Sequence, residues 1–223
     1  MNRISWQRAP WLLLVLAPLL GGCPADVSQL DTMKDNAAKG NRAANAAMAV
    51  TCTKDDQACY QINLIKGDAC LSMAREAEDR VRRDYDRCAA GALAIGIAMA
   101  PGEDTPAGKL RGFGVKRLEA LRDLIDTQRG SDPSGAADLI TAAGEFRKRY
   151  PGDPAGPFYL ASGMTTAAQD RFKSDHDKAA LCTALRPIND LAREGGRAPG
   201  EFAANYQNLT ATLTGLRRVG GCS

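Results

Sequence analysis

One short phrase recurs along this chain at a nearly constant interval: Pro101-Gly102-Glu103, Pro151-Gly152-Asp153 and Pro199-Gly200-Glu201, about fifty residues apart. Proline ends a helix because it lacks the amide hydrogen of the ladder and clashes with the preceding turn. Glycine then permits the reversal, and an acid favours the positive start of the next helix. Each interval has room for two helices. A single amphipathic pair cannot bury both of its apolar faces, so the physical solution is to stack successive pairs. No segment sustains period-two alternation, and the expected fold class is therefore all-α.

Apolar residues at helical spacing fill the intervals. An alanine-rich segment from Gln29 to Val50 reads as a first helix of low apolar bulk, interrupted by the turn-forming Thr51-Cys52-Thr53-Lys54-Asp55-Asp56. From Gln57 the stripe Tyr60, Leu64, Gly67, Leu71 and Ala74 marks a second helix. The alternating charges of Arg75 to Arg87 read as a solvated turn, and Val81, Tyr85, Cys88, Ala92, Ile95 and Met99 as a third helix ending at Pro101. A fourth carries Val115, Leu118, Leu121 and Ile125. Asp132-Pro133 opens a fifth, with Ala136, Leu139, Ala143, Phe146 and Tyr150 on its stripe. Asp153-Pro154 opens a sixth holding Phe158, Tyr159, Gly163 and Thr166. A seventh is expected from Ser174, with Asp177 three residues on in a capping-box-like relation, and carries Leu181, Leu185, Ile188 and Leu191. The last stripe is Phe202, Tyr206, Leu209, Leu213 and Leu216, with Arg217-Arg218 at the helix's negative end.

The seven cysteines constrain both compartment and topology. Cys23 stands apart, which leaves Cys52, Cys59, Cys70, Cys88, Cys182 and Cys222. An even set in an exported chain favours disulfides, although six cysteines allow 15 connectivities. Cys70 and Cys88 are about equally far from the charged stretch near Asp79. If that stretch turns, the two helices run antiparallel and the cysteines face each other; if the helix ran straight through, they would lie ~27 Å apart, far beyond disulfide reach. The expectation is a hairpin with a Cys70–Cys88 bridge. Cys52 and Cys59 flank the preceding loop as a short closure, and Cys182 with Cys222 then staples the C-terminal tail to the seventh helix.

The first residues decide where such a domain resides. A basic start with Arg3 and Arg8 precedes an apolar run from Trp11 to Leu20, about half the length needed to span a bilayer, so it reads as a cleavable export signal. Leu20-Gly21-Gly22-Cys23 follows. In this order of features the chain resembles a bacterial lipoprotein precursor, and the four residues match that family's lipobox. The resemblance implies cleavage before Cys23, a thioether-linked diacylglycerol on its sulfur and acylation of its new amine. Two or more acyl chains hold a protein stably at a bilayer. Pro24 stands where the family's inner-membrane members carry aspartate, so the resemblance implies the outer membrane, facing the periplasm, with the inner membrane as the alternative. The expected organisation is a signal peptide over 1–22, a lipidated tether over 23–28 and one domain over 29–223.

The mature domain is expected to be nearly neutral: the whole chain has 29 Lys+Arg against 26 Asp+Glu, and Arg3 and Arg8 leave with the signal. With aromatic residues at only 5%, it offers neither the field nor the stacking platform that nucleic acid requires.

The helix pairs themselves resemble tetratricopeptide-like repeats. The resembling features are Gly67 and Gly163, where first helices would pack closely, Ala89 and Leu93 in a second helix, and prolines at second-helix ends. The period is nearer fifty than 34, and the full Trp-Leu-Gly-Tyr pattern is absent. The resemblance implies an α-solenoid of about three pairs with a preceding and a capping helix, whose first helices line a concave side. Gln61, Asp68, Tyr159 and Met164 become candidate interaction residues there.

Catalytic patterns are sparse. His176, the single histidine, lies between Asp175 and Asp177 and reads as a solvated residue at a helix start; a Cys–His pair would require Cys182 to stay free. Gly112-Phe113-Gly114 lacks the third glycine of a dinucleotide fingerprint, and the chain has no Gly-x-Ser-x-Gly, Ser-x-x-Lys, phosphate loop or Cys-x-x-Cys. Asp84/Asp86 and Glu76/Asp79 sit among arginines, as on solvated helix faces. No cofactor or metal is implied. The expectation is a non-catalytic, membrane-tethered scaffold or adaptor for an envelope protein. The alternatives are a small-ligand-binding accessory of an uptake or secretion system, marked by an enclosed apolar pocket, and a periplasmic hydrolase, marked by a cleft with a strongly perturbed carboxylate.

Overall fold

The computed structural model describes residues 25–101, 107–127 and 134–222. The expected signal peptide, the lipobox and Cys23, together with Gly102-Glu103 and Asp132-Pro133, lie outside the described residues. Among the described residues the regular structure is entirely helical: α1 (Ala25–Ala38), α2 (Arg42–Ala47), α3 (Cys59–Glu76), α4 (Asp79–Met99), α5 (Ala107–Thr127), α6 (Ser134–Arg149), α7 (Ala155–Asp175), α8 (Lys178–Gly196), a 3-10 turn (Gly200–Phe202) and α9 (Ala203–Gly220).

The alanine-rich first segment is two helices, not one. Gly40 adopts a left-handed φ of 72°, and the Asn41 side chain accepts from the Ala44 amide to start α2. Propensity favours helix throughout this stretch, but a glycine followed by a capping asparagine breaks it. The buried Asn45 amide then ties the two helices, donating to the Met33 carbonyl at 2.9 Å and accepting from Asn36 at 3.1 Å. Helix α1 begins at Ala25, so residues 25–28, expected as tether, are helical. Leu30 and Met33 pack it onto Ala58 and Ile62 at the head of α3.

The reversal between α3 and α4 takes only Ala77 and Glu78, so most of the charged stretch expected as a turn belongs to helices. The hairpin is tight. A Cβ on Gly67 would stand 2.5 Å from Leu93 Cγ, and one on Gly96 would stand 2.8 Å from Leu64 Cγ, so the two glycines let the helices interlock. The Cys70–Cys88 disulfide crosses this interface with its Cα atoms 5.9 Å apart. Cys52–Cys59 and Cys182–Cys222 are the other two bridges, so all three expected pairings are present.

Helix α4 keeps part of the expected stripe, since Ala92 is buried and Tyr85 and Cys88 pack against the core, but Val81 and Ile95 do not belong to it. Asp86, Ala89, Ala90, Ala92, Leu93 and Gly96 are buried, whereas Val81 and Ile95 are 56% and 50% exposed. Close packing on α3 selects small residues for the interface, and this displaces the larger apolar ones from it.

From α3 onward each helix packs on its successor, giving pairs α3/α4, α5/α6 and α7/α8 in chain order with α9 covering the last pair. A second set of contacts joins α3 to α5, α5 to α7 and α7 to α9. The odd-numbered helices thus form one layer, and the turns at Pro101, Pro151-Gly152 and Pro199-Gly200 separate successive pairs. Helix α7 runs to Asp175, past the expected start of the next helix at Ser174. His176 terminates it in a left-handed conformation, φ 55°, and Asp177 caps α8 directly by accepting from the Ala180 amide at 2.9 Å.

Candidate functional site

The odd-helix layer is crossed by ion pairs that join equivalent regions of successive helices. Asp68 on α3 pairs with Lys116 on α5, and Arg75 binds both oxygens of Glu119 at 2.7–2.9 Å. Arg111 on α5 reaches forward to Asp153 at 2.6 Å and Glu201 at 3.0 Å, so two acids of the recurring Pro-Gly-acid phrase converge on one guanidinium. Asp153 also accepts from the Ala155 amide and so caps α7. On the other side of the stack, Arg147 of α6 grips Glu194 of α8 through both carboxylate oxygens. Such exposed pairs contribute little stability singly, about 0–1 kcal/mol, but bidentate geometry fixes the register between helix pairs.

The four interaction candidates do not form one surface. Asp68 lies on the odd-helix layer, engaged with Lys116. Gln61 is at the far end of α3, its amide donating to the Tyr60 hydroxyl at 2.9 Å. Met164 is partly buried against the main core. Tyr159 is 5% exposed and belongs to an aromatic cluster with Phe158, Phe202 and Tyr206, ring centroids 5.0–5.9 Å apart. It is a core residue: the Phe158-Tyr159 step straddles the α7 face on which α9 docks. The Tyr206 hydroxyl fastens that docking by donating to the Pro154 carbonyl at 2.7 Å.

One electrostatic anomaly is concealed by the charged sequence around it. Asp86 on α4 has no exposed surface, and neither carboxylate oxygen has a hydrogen-bond partner. Its nearest cation, Arg82 Nε, is 3.8 Å away, while the same guanidinium donates to Asp123 on α5 at 2.9 Å. Burial, reinforced by the negative charge of Asp123, pushes the Asp86 carboxyl up to about 7. Among charged neighbours Asp86 reads as a solvated acid, and the structure corrects that reading. The available signal is its position three, four and seven residues before the buried Ala89, Ala90 and Leu93, on the same face of a helix that begins at Asp79.

His176 is exposed, and Cys182 is committed to its disulfide, so the two do not form a nucleophile pair. Among the described residues no group of three or more His, Cys, Asp or Glu is arranged to hold a metal ion, and no helix is long and apolar enough to cross a membrane.

A partly open cleft of about 190 Å³ lies where α4, α5 and α6 meet, with Ala98, Glu145 and Arg149 at its exposed rim. Small residues create it: Ala94 and Ala98 on α4, Gly114 on α5 and Ala142 on α6 leave the space unfilled, and Leu110, Leu118 and Phe146 complete an apolar wall. Arg117, Glu145, Arg149 and Tyr150 are its polar lining.

No protein-family model matches this chain, and no similar curated protein or solved structure was found.

Proposed function

We propose that this chain is a lipid-anchored envelope protein whose helix pairs form a tetratricopeptide-like solenoid and serve as a non-catalytic docking platform for another envelope protein. The anchor reading rests on Leu20-Gly21-Gly22-Cys23 behind an export-type leader. The solenoid reading is supported by pairs stacked in chain order, by Gly67, Gly114 and Gly163 recurring at close approaches between helices, and by the Pro-Gly turns between pairs.

The observation that carries the platform reading is the layer of odd-numbered helices, joined across α3 and α5 by the Asp68–Lys116 and Arg75–Glu119 pairs. Repeat proteins use such a continuous layer as an extended binding surface. Photo-crosslinking in intact cells tests it. Ser72 lies between Asp68 and Arg75 on α3, and Gly112 precedes Lys116 by one turn on α5 with open space around it; the exposed Gly91 on α4, also in open space, is the control. A photo-reactive residue at 72 or 112 is expected to capture one and the same envelope protein, with none captured from 91. Capture from 91 alone, or from none of the three, contradicts the platform.

A further inference from the structure

Every even-numbered helix from α4 onward bridges two odd-numbered ones: α4 packs on α3 and α5, α6 on α5 and α7, and α8 on α7 and α9. Among the described residues no further helix packs on the corresponding side of α9. At the earlier seams a glycine of the odd helix takes a side chain of an even one. Gly67 takes Leu93, Gly114 takes Phe146 and Gly163 takes Ile140, each so close that a Cβ would stand 2.5–2.9 Å from the incoming side chain. On α9, Gly215 faces open space, as does Gly196 at the edge of α8. An open groove runs between these two helices where the next even helix would lie. Ala192 and Gly196 of α8 and Thr210, Ala211, Thr214 and Gly215 of α9 form its floor. Its rim is basic: Arg186, Arg193 and Arg197 share one face of α8 and its C-terminal cap, and Arg217 and Arg218 stand on α9. Arg193 pairs with Asp190, whereas the other four arginines have no acidic partner among the described residues. The other two acids between Lys178 and Gly220 are engaged elsewhere, Glu194 with Arg147 and Glu201 with Arg111.

We propose that this groove docks an acidic amphipathic helix of another protein, which takes the place that an even-numbered partner of α9 would fill. Its apolar seam lies on the small residues of the floor, and its carboxylates face Arg186, Arg197, Arg217 and Arg218. Charge decides the occupant. A second copy would bring its own arginines against these, and like charges brought together oppose association. Of the segments outside the described residues only 1–24 is long enough to form such a helix, and it contains Arg3 and Arg8 and no acid. An anionic bilayer is a poorer match, because binding in its plane needs large apolar side chains to insert, and this floor exposes alanine, glycine and threonine. The surface is separate from the α3–α5 seam and does not rest on the platform reading.

The test is selection from a displayed library of amphipathic helices of about 20 residues against the full mature chain carrying Cys23→Ser. The library has a fixed leucine and alanine seam and equal frequencies of Glu, Gln and Lys at the flanking positions. Glutamate is expected to be enriched about threefold or more over lysine. A selected peptide is expected to bind with a dissociation constant on the order of 1–10 μM by fluorescence anisotropy. Gly215→Leu, and separately Arg186→Glu combined with Arg217→Glu, are expected to weaken it about tenfold or more, whereas Gly112→Leu on the α3–α5 seam leaves it unchanged. Gly215 and Gly112 both stand in open space, so leucine is tolerated at either, and circular dichroism of each variant verifies the fold. Enrichment of lysine, or no enriched binder, overturns the assignment, as does a selected peptide that Gly215→Leu leaves unaffected. Binding to phosphatidylglycerol vesicles that the arginine reversals abolish, with peptide binding unchanged by them, assigns the rim to a membrane and overturns it too. So does a dimer of the chain that Gly215→Leu dissociates.

Discussion

Replacing Asp86 with asparagine isolates the energetic cost of one buried ionisation. In the folded protein the Asp86 carboxyl titrates at about 7; its ordinary value is 3.8. Between those values the folded state holds a proton that the unfolded chain has released, so the unfolded state binds fewer protons and stability falls as pH rises through the window. About three pH units at 1.36 kcal/mol each set a ceiling of about 4 kcal/mol. Local relaxation and water entry lower this, and about 2–4 kcal/mol is the working range. The groups facing the carboxyl are Arg82 on its own helix and Asp123 and Glu119 on α5. The substituted amide cannot ionise and therefore cannot incur this loss. Urea unfolding followed by circular dichroism, run at several pH values from about 4 to 8, should give a stability difference between Asp86→Asn and the parent that is smallest at acid pH. It should grow by about 2–4 kcal/mol toward pH 8, roughly 4 °C or more in melting temperature. A difference that stays constant across the window would refute the reasoning, because it would mean that Asp86 titrates alike in both states.

Three further outcomes follow from the packing. Changing both Cys182 and Cys222 to serine opens a loop of 40 residues and should lower stability by about 4 kcal/mol on the loop-entropy model, measured as the shift in urea midpoint. Gly67→Ala should destabilise by about 1–3 kcal/mol, since the new methyl meets Leu93, whereas Gly91→Ala in the partner helix of the same hairpin meets open space and should be neutral or stabilising by up to about 1 kcal/mol. Tyr206→Phe removes the donor to the Pro154 carbonyl and should cost about 1 kcal/mol, with hydrogen exchange accelerated in α9 ahead of the remaining helices.

The parts of this fold legible in the sequence are those governed by local chemistry. The Pro-Gly turns, the stripes of α3, α6 and α8, and the Cys70–Cys88 hairpin all follow from period, breaker residues and the reach of a disulfide. What is not legible depends on partners distant in the chain. Part of the α4 stripe is displaced because tight apposition on α3 demands alanine and glycine, so Val81 and Ile95 face outward and Asp86 inward. Tyr159 reads as part of a binding surface because its own helix cannot reveal that α9 returns to cover it. The Gly40-Asn41 break is concealed by surrounding alanines of high helix propensity. Of the candidate site, Asp68 alone among the four interaction residues falls on the ion-paired α3–α5 seam. The α4–α5–α6 cleft is invisible in the sequence because it is made by small residues whose absence of bulk registers only when three helices meet.

The central claim is that a lipid-anchored, disulfide-stapled stack of helices stands at a bacterial membrane, and the intact mass of the protein extracted from the envelope tests it most directly. The account predicts a chain beginning at Cys23, heavier than its sequence by a diacylglycerol and an amide-linked acyl group, and gaining six hydrogens on reduction as the three bridges open. An unmodified N-terminus, or a mass unchanged by reduction, would contradict it.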